Sequence, residues 1–267
     1  MEVYFAVVVF LFGLLFGSFY NVVGYRIPNN MSIVWPHSFC PKCKHELKWY
    51  ELIPVLSFLI QKGKCRKCKC SISFFYPIIE LLTGVLFMLS YLKFGFTPEF
   101  AISILVSSFL VIVIVSDFNY LVISDEVTIF FSIISVLVQF IFLGVTYGIS
   151  SIVYGISSFI TMYIIMILGS KIMGEEALGG GDVKLMFFVG TVLSAVSPVV
   201  LSDLTTYSTF FNIFFEIFLA SATAIPFAIF SFCSKKNRVV PFGPFILLAS
   251  LIIFLSQYSI VDYLFKI

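Results

Sequence analysis

The chain has 267 residues, of which 60% are hydrophobic and only 11% charged, with a formal net charge of +2. Soluble domains carry about 25% charged residues, so the composition excludes an ordinary water-soluble fold. The apolar residues come in unbroken blocks long enough to cross a bilayer as helices and too long for barrel strands.

Eight spans are predicted, over 3–25, 77–93, 99–116, 127–145, 149–170, 185–201, 210–232 and 242–261, giving an all-α integral membrane protein. The first block is not a cleavable signal peptide, because Glu2 is its only early charge and its apolar run is too long. Arg26 follows that block, which places the N-terminus outside and the next loop in the cytoplasm. With eight spans in that orientation, 14 of the 16 Lys and Arg fall on the cytoplasmic side, and only Lys93 and Lys266 fall outside. The bias obeys the positive-inside rule and puts both termini outside. Topology alone accounts for the basic residues, so no nucleic-acid partner is expected. The crowded basic loop is also suited to touching anionic membrane lipid.

The only sizeable polar segment is 26–76, which holds five of the six Cys, both His and both Trp. It divides the chain into a first helix (1–25), a small cytoplasmic loop (26–76) and a helical bundle (77–267). Within the loop, Cys40-Pro41-Lys42-Cys43 and Cys65-Arg66-Lys67-Cys68 stand 21 residues apart. Two such pairs suit a four-thiolate zinc site, each turn bringing two sulfurs to one tetrahedral ion. A loop of this size buries little core, so a structural metal is the expected staple. Two disulfides are the competing reading and fit poorly with a reducing cytoplasm. Cys70 is an extra thiol, His37 and His45 are alternative ligands, and Cys233 reads as a small apolar filler.

Two acidic clusters flank later spans. One is Ser116-Asp117 through Ser124-Asp125-Glu126, between the third and fourth spans. The other is Gly179-Gly180-Gly181-Asp182-Val183-Lys184, leading into the sixth. The eight-span topology puts both on one face. Ionisable groups at membrane depth are costly and mark function. Two carboxylates held together share a proton, so one serves as base toward water and the other as acid toward a carbonyl oxygen. The glycines before Asp182 leave the backbone bare for an extended substrate. The competing reading is solvated helix caps beside a glycine turn. Glu126, Glu175, Glu176, Asp203 and Asp262 read as solvated charges. Glu80 and Glu216 read as buried, available to a basic group or a ligand. There is no HExxH, GxSxG or P-loop motif, and apart from Lys93 at the end of the second no Lys lies inside a span to serve a Ser–Lys dyad.

Taken in order, these segments resemble the type IV prepilin peptidases over nearly the whole chain. Phe16-Gly17-Ser18-Phe19-Tyr20-Asn21-Val22-Val23 with Arg26 and Pro28 is similar to that family's N-terminal signature. The two cysteine pairs resemble its zinc loop, and Trp49-Tyr50-Glu51-Leu52-Ile53-Pro54 resembles the stretch between them. Ile72-Ser73, Tyr76-Pro77 and Glu80-Leu81-Leu82 resemble the start of its second span. Asp117 and Asp125 resemble its first aspartate motif, Gly179 to Lys184 its GxGD motif, and Pro241-Phe242-Gly243-Pro244 its last. The chain departs at Glu51-Leu52, where the family often has Asp-Asn, and at Ser124, where it often has Pro.

The resemblance implies a membrane aspartyl endopeptidase and N-methyltransferase of the bacterial inner membrane. Its substrates would be type IV prepilins or pseudopilins, cut after a Gly on the cytoplasmic side. The new N-terminal amine would then be methylated with S-adenosylmethionine. It implies Asp117 and Asp182 as the catalytic pair, Asp125, Gly179, Gly181 and Lys184 as accessory residues, and Cys40, Cys43, Cys65 and Cys68 as structural zinc ligands. A transporter using intramembrane carboxylates and a zinc-loop scaffold are the alternatives from other classes.

Overall fold

The computed structural model describes residues 1–174, 178–196, 203–233 and 241–256. The chain is an all-α multi-pass membrane protein. Its helices are α1 (Glu2–Arg26), α2 (Leu56–Ile60), α3 (Phe75–Phe94), α4 (Pro98–Tyr120), α5 (Asp125–Val138), α6 (Val145–Met173), α7 (Gly180–Leu193), α8 (Asp203–Cys233) and α9 (Gly243–Ser256). Six helices among the described residues are long and apolar enough to cross a bilayer. They correspond to six of the eight predicted spans. The other two, predicted over 185–201 and 242–261, are the 14-residue helices α7 and α9, and the ends of those ranges lie outside the described residues. Lys235, Lys236, Arg238, Glu175, Glu176, Asp262 and Lys266 also lie outside them.

Helix α7 begins earlier than hydropathy predicts because the glycines are already helical. Gly179 caps it in an extended conformation and its carbonyl accepts the Asp182 N–H at 3.1 Å. Asp182 therefore stands in the first turn, where the helix dipole favours an anion. Helix α4 starts at Thr97-Pro98 and stops where Leu121 turns left-handed, four residues beyond Asp117. Helix α6 stops at Gly174, at φ 76°, the conformation that a glycine adopts without a Cβ penalty.

Helix α4 packs against α1, α3, α5 and α9 and is the hub of the bundle. Small residues let the helices approach closely, the usual route to association in lipid. A Cβ on Gly13 would lie 2.7 Å from the Gly84 Cα, one on Gly17 2.8 Å from the Glu80 Cα, and one on Gly24 2.6 Å from the Val115 Cβ. The glycines of α1 thus set its distance from α3 and α4. Several buried polar groups pair between helices, the favoured arrangement in lipid. Tyr20 donates to Ser108 at 2.7 Å and Ser90 meets Ser103 at 2.7 Å. A polar layer joins α5 to α7 around Gln139, the first residue of a π-helical segment (Gln139–Leu143). The Gln139 amide donates to the Thr191 carbonyl at 2.6 Å and accepts from Ser194 at 2.9 Å.

The loop 26–76 is fastened to one end of the bundle. Asn21 donates to the Tyr76 carbonyl at 3.3 Å, and the Val55 N–H donates to Glu80 at 2.7 Å. Glu80 is thus buried as predicted, and its described partners are the Val55 amide and the Ser18 hydroxyl rather than a basic side chain. At the same end Tyr25 of α1 meets Tyr120 of α4, with ring centroids 6.0 Å apart.

Gly17→Val places new atoms against the α3 backbone and splays α1 from α3. The expected cost is about 1–3 kcal/mol, seen as a lowered Tm in detergent. Leu15→Val, on the exposed face of α1, is expected to change stability by about 0.5 kcal/mol or less.

Candidate active site and thiolate cluster

Three segments far apart in sequence converge at the loop end of the bundle. Asp117 comes from the last turn of α4 and is 5% exposed. Asp182 comes from the first turn of α7, close enough to Asp117 for the two carboxylates to interact electrostatically. Gly243, the first residue of α9, directs its backbone N–H to the Asp117 carboxylate.

The glycine at 243 has a steric reason. A Cβ there would lie 2.6 Å from Ile123 Cδ1 and 3.3 Å from Asp117 Oδ2. The same isoleucine abuts the glycine run, since a Cβ on Gly181 would lie 3.2 Å from the Ile123 Cβ. Ile123 is therefore the apolar wedge against which α7 and α9 both close. Gly180 faces open space within 4 Å, and a Cβ on Gly179 would sit 3.3 Å from Asp182 Oδ2. The glycine backbone beside Asp182 is bare, as the sequence leads one to expect.

Asp125 does not join the pair. It opens α5, and its carboxylate receives the Lys184 ammonium in a forked contact at 2.7 and 2.8 Å. The motif containing Asp182 thus makes two connections: Asp182 to the end of α4 and Lys184 to the start of α5. Both partners of the ion pair are half-exposed, so it contributes position more than stability. Glu126 is exposed, as expected. Glu216 is fully buried, and neither of its carboxylate oxygens has a hydrogen-bond partner among the described residues.

The cysteines form the second centre. The sulfurs of Cys40, Cys43, Cys65 and Cys68 all lie within 4.8 Å of one another. Cys40 and Cys68 are 3.8 Å apart and Cys43 and Cys65 3.9 Å. A tetrahedral ion with metal–sulfur bonds of about 2.3 Å requires an edge of about 3.8 Å. The donor set therefore fits a thiolate-bound metal ion.

The two pairs are built alike. In each, the first cysteine's carbonyl accepts the N–H of a left-handed Lys, Lys44 or Lys69, at 2.9 Å. Each turn is closed by an isolated antiparallel bridge, Phe39 to Glu46 and Lys64 to Ser71. By this correspondence Cys70 occupies the place of His45. The Cys70 sulfur lies 3.2 Å from Cys68 and 3.6 Å from Cys40, so the extra thiol borders the cluster. The Cys43 backbone N–H is the main cause that draws the Cys40 thiol down to about 6. The Cys70 N–H draws Cys68 down as well. Hydrogen bonding to Cys68 is the main cause that pushes Cys70 up to about 12. Cys43 rises to about 11, because partial burial and neighbouring thiols outweigh the His45 backbone N–H. Thiols this crowded cannot all ionise without a cation among them.

Glu51 ties the two halves of the loop together. It is buried; its carboxylate accepts the Lys48 N–H at 3.0 Å, lies 3.3 Å from His45 Nε2 and is 3.9 Å from Arg66 Nε. Burial alone would raise its pKa. The Lys48 N–H, then His45 and Arg66, reverse that and hold it below the usual glutamate value. His45 is thus engaged with a carboxylate rather than with the sulfur cluster.

Comparison with known proteins identifies the family. Residues 11–94 match the bacterial peptidase A24 N-terminal domain and residues 104–229 match the type IV leader peptidase family. The chain is 33% identical over 259 residues to a prepilin leader peptidase/N-methyltransferase of Bacillus subtilis, covering 97% of each chain. The chain belongs to the type IV leader peptidase family. Proteins of the same name from Neisseria gonorrhoeae and Vibrio cholerae are 27% and 28% identical to it, over 93% and 96% of this chain and 89% and 98% of theirs. No solved structure matches the chain.

The sequence reading did not single out Ile123, the amide of Gly243, or the His45–Glu51–Arg66 contacts. Ile123 carries no chemical signal, an amide is common to nearly every residue, and the Glu51 contacts depend on how the loop closes.

The purified protein is expected to carry one metal ion per chain by elemental analysis. Cys43→Ser and Cys65→Ser are expected to lose it. Cys70→Ser is expected to retain it, and loss there would make Cys70 a ligand.

Proposed function

We propose that the chain is a membrane-embedded aspartyl endopeptidase that removes the leader from type IV prepilins or pseudopilins after a Gly. It then N-methylates the new N-terminal residue with S-adenosylmethionine. The observation that carries the peptidase reading is that Asp117 and Asp182, from separate helices, lie within electrostatic range of each other beside a bare glycine backbone. The name prepilin leader peptidase/N-methyltransferase, borne by relatives matching nearly the full chain, supports both activities and the substrate class.

In the proposed mechanism the two carboxylates share one proton. The ionised one takes a proton from water as its oxygen attacks the scissile carbonyl carbon, while the protonated one donates to the carbonyl oxygen. The tetrahedral intermediate collapses as the amine leaves with a proton from the dyad. The Gly243 N–H orients the Asp117 carboxylate toward this task. The exposed backbone at Gly179 and Gly180, beside Gly181, gives an extended substrate a main chain to pair with. Asp125 and Lys184 are positioning residues that tie the start of α5 to α7.

Cys40, Cys43, Cys65 and Cys68 would hold a structural zinc ion. Four thiolates leave no open coordination position, so the ion takes no part in either reaction. S-adenosylmethionine supplies the methyl group when bound. The protein would lie in the inner membrane with both termini outside and the zinc loop and aspartates in the cytoplasm. The charge bias of the loops and the shared end of the bundle support that orientation.

The test mixes full-length enzyme in detergent with a prepilin and follows leader loss by gel mobility. Asp117→Asn and Asp182→Asn keep size and remove the titrating proton. Each is expected to lower the rate by about a thousandfold or more while the metal stays bound. Near wild-type cleavage by either variant would remove that residue from the dyad. In parallel, transfer of a labelled methyl group to an already cleaved pilin is expected to survive both substitutions. Its absence from the wild type would leave a peptidase without methyltransferase activity.

A further inference from the structure

The outer surface of α3 presents Ile78, Leu81, Val85 and Leu89 away from the bundle. In a bilayer this surface meets acyl chains. The apolar surface continues past the start of the helix. Phe74 is 72% exposed and packs edge-on against Phe58 of α2, with ring centroids 5.0 Å apart. Leu56, Leu59 and Ile60 of α2 are all exposed beside it. A short apolar helix facing outward has no reason to stay so in water.

Directly after α2 the chain forms a hollow of about 570 Å³ lined by Ile60, Gln61, Lys62, Lys64, Arg66 and Lys69. Four of its six lining residues are cations and none is an acid. Arg66 is held in place, its guanidinium 4.9 Å over the Tyr50 ring and its Nε 3.9 Å from Glu51. Lys62, Lys64 and Lys69 make no ion pair among the described residues. The height of this unit is set by the bond from the Val55 N–H to Glu80, one turn into α3. It is therefore pinned where a spanning helix emerges from hydrocarbon.

We propose that segment 56–69 is a seat for an anionic phospholipid of the adjoining leaflet. Leu56, Leu59 and Ile60 enter the lipid interface, and Lys62, Lys64, Arg66 and Lys69 hold the headgroup phosphate. The order along the surface is apolar, then cationic, which is the order of acyl chain and phosphate in such a lipid. A soluble phosphate would satisfy the cations and leave the apolar helix in water, so the lipid is the fitting occupant. The side chains that would touch the lipid include none assigned to cleavage or to the metal, although Cys65 and Cys68 lie in the same segment.

The test titrates the full-length protein in detergent with phosphatidylglycerol, phosphatidylcholine or glycerol 3-phosphate and counts adducts by native mass spectrometry. Preferential retention of phosphatidylglycerol is expected. Lys62→Gln/Lys64→Gln/Lys69→Gln is expected to weaken it roughly a hundredfold. The charge-matched Lys42→Gln/Lys44→Gln/Lys48→Gln is expected to change it less than about threefold. Metal content checks that both variants keep the loop folded. Equal weakening in both would reduce the effect to general loop charge and overturn the seat. Equal occupancy by glycerol 3-phosphate would overturn the lipid assignment. In vesicles, a Leu59→Trp reporter (with Trp35 and Trp49 changed to Phe) is expected to be quenched by brominated acyl chains. No quenching would place α2 in water and overturn its insertion.

Discussion

A carboxylate placed among membrane helices needs partners that the bilayer does not supply, and most of this structure follows from where Asp117 finds them. Its helix, α4, is packed on four sides, so Asp117 emerges only at its last turn. There the start of α9 brings the Gly243 amide and the start of α7 brings Asp182. Both approaches are close at a glycine, because Ile123 lies against the space in which a side chain at 181 or 243 would sit. Helix N-termini are suited to the role, since their first amides are free and their dipole favours an anion. The carboxylate pair is thus a product of two helices starting where a third one ends.

The cysteine loop solves a different problem at the same end of the molecule. It has too little apolar content for a core, and a cluster of four cysteine sulfurs and a buried glutamate tie its halves together. Glu51 reaches His45 after the first cysteine turn and Arg66 inside the second, which crosslinks the halves through side chains. The loop is then joined to the bundle by Glu80, which receives the Val55 amide, and by Asn21, which reaches the Tyr76 carbonyl. Glu80 packs against Gly17, so the residues that space α1 from α3 also set the position of the loop. Two centres that share no residue are carried on one rigid frame.

Much of the plan was readable before any coordinates. Long apolar blocks can only be spans in this composition, and paired CxxC turns can only gather sulfur in a few ways. The acidic clusters stood out because charge is rare in such a chain. Less visible was the division of labour among the acids. Asp125 reads as accessory to the Asp117–Asp182 pair, but its partner, Lys184, is not legible in the sequence. Cys70 looked spare, and its place beside Cys40 and Cys68 emerges only from the way the second cysteine turn repeats the first. The short helices α7 and α9 were harder to delimit, because glycine and apolar residues extend a span and start a helix equally well.

By itself, the sequence determined the class of the protein, the number and order of its apolar blocks, the sulfur-rich loop and the residue types available for chemistry. These are local properties, set by hydropathy, spacing and the side chain's own donors and acceptors. Tertiary structure decided which carboxylates meet, which amide serves Asp117, why glycine is needed at 243, and where the loop sits on the bundle. Those outcomes depend on distances between segments up to more than a hundred residues apart. They also involve backbone amides and an unremarkable isoleucine, which differ from their neighbours only once the helices have packed.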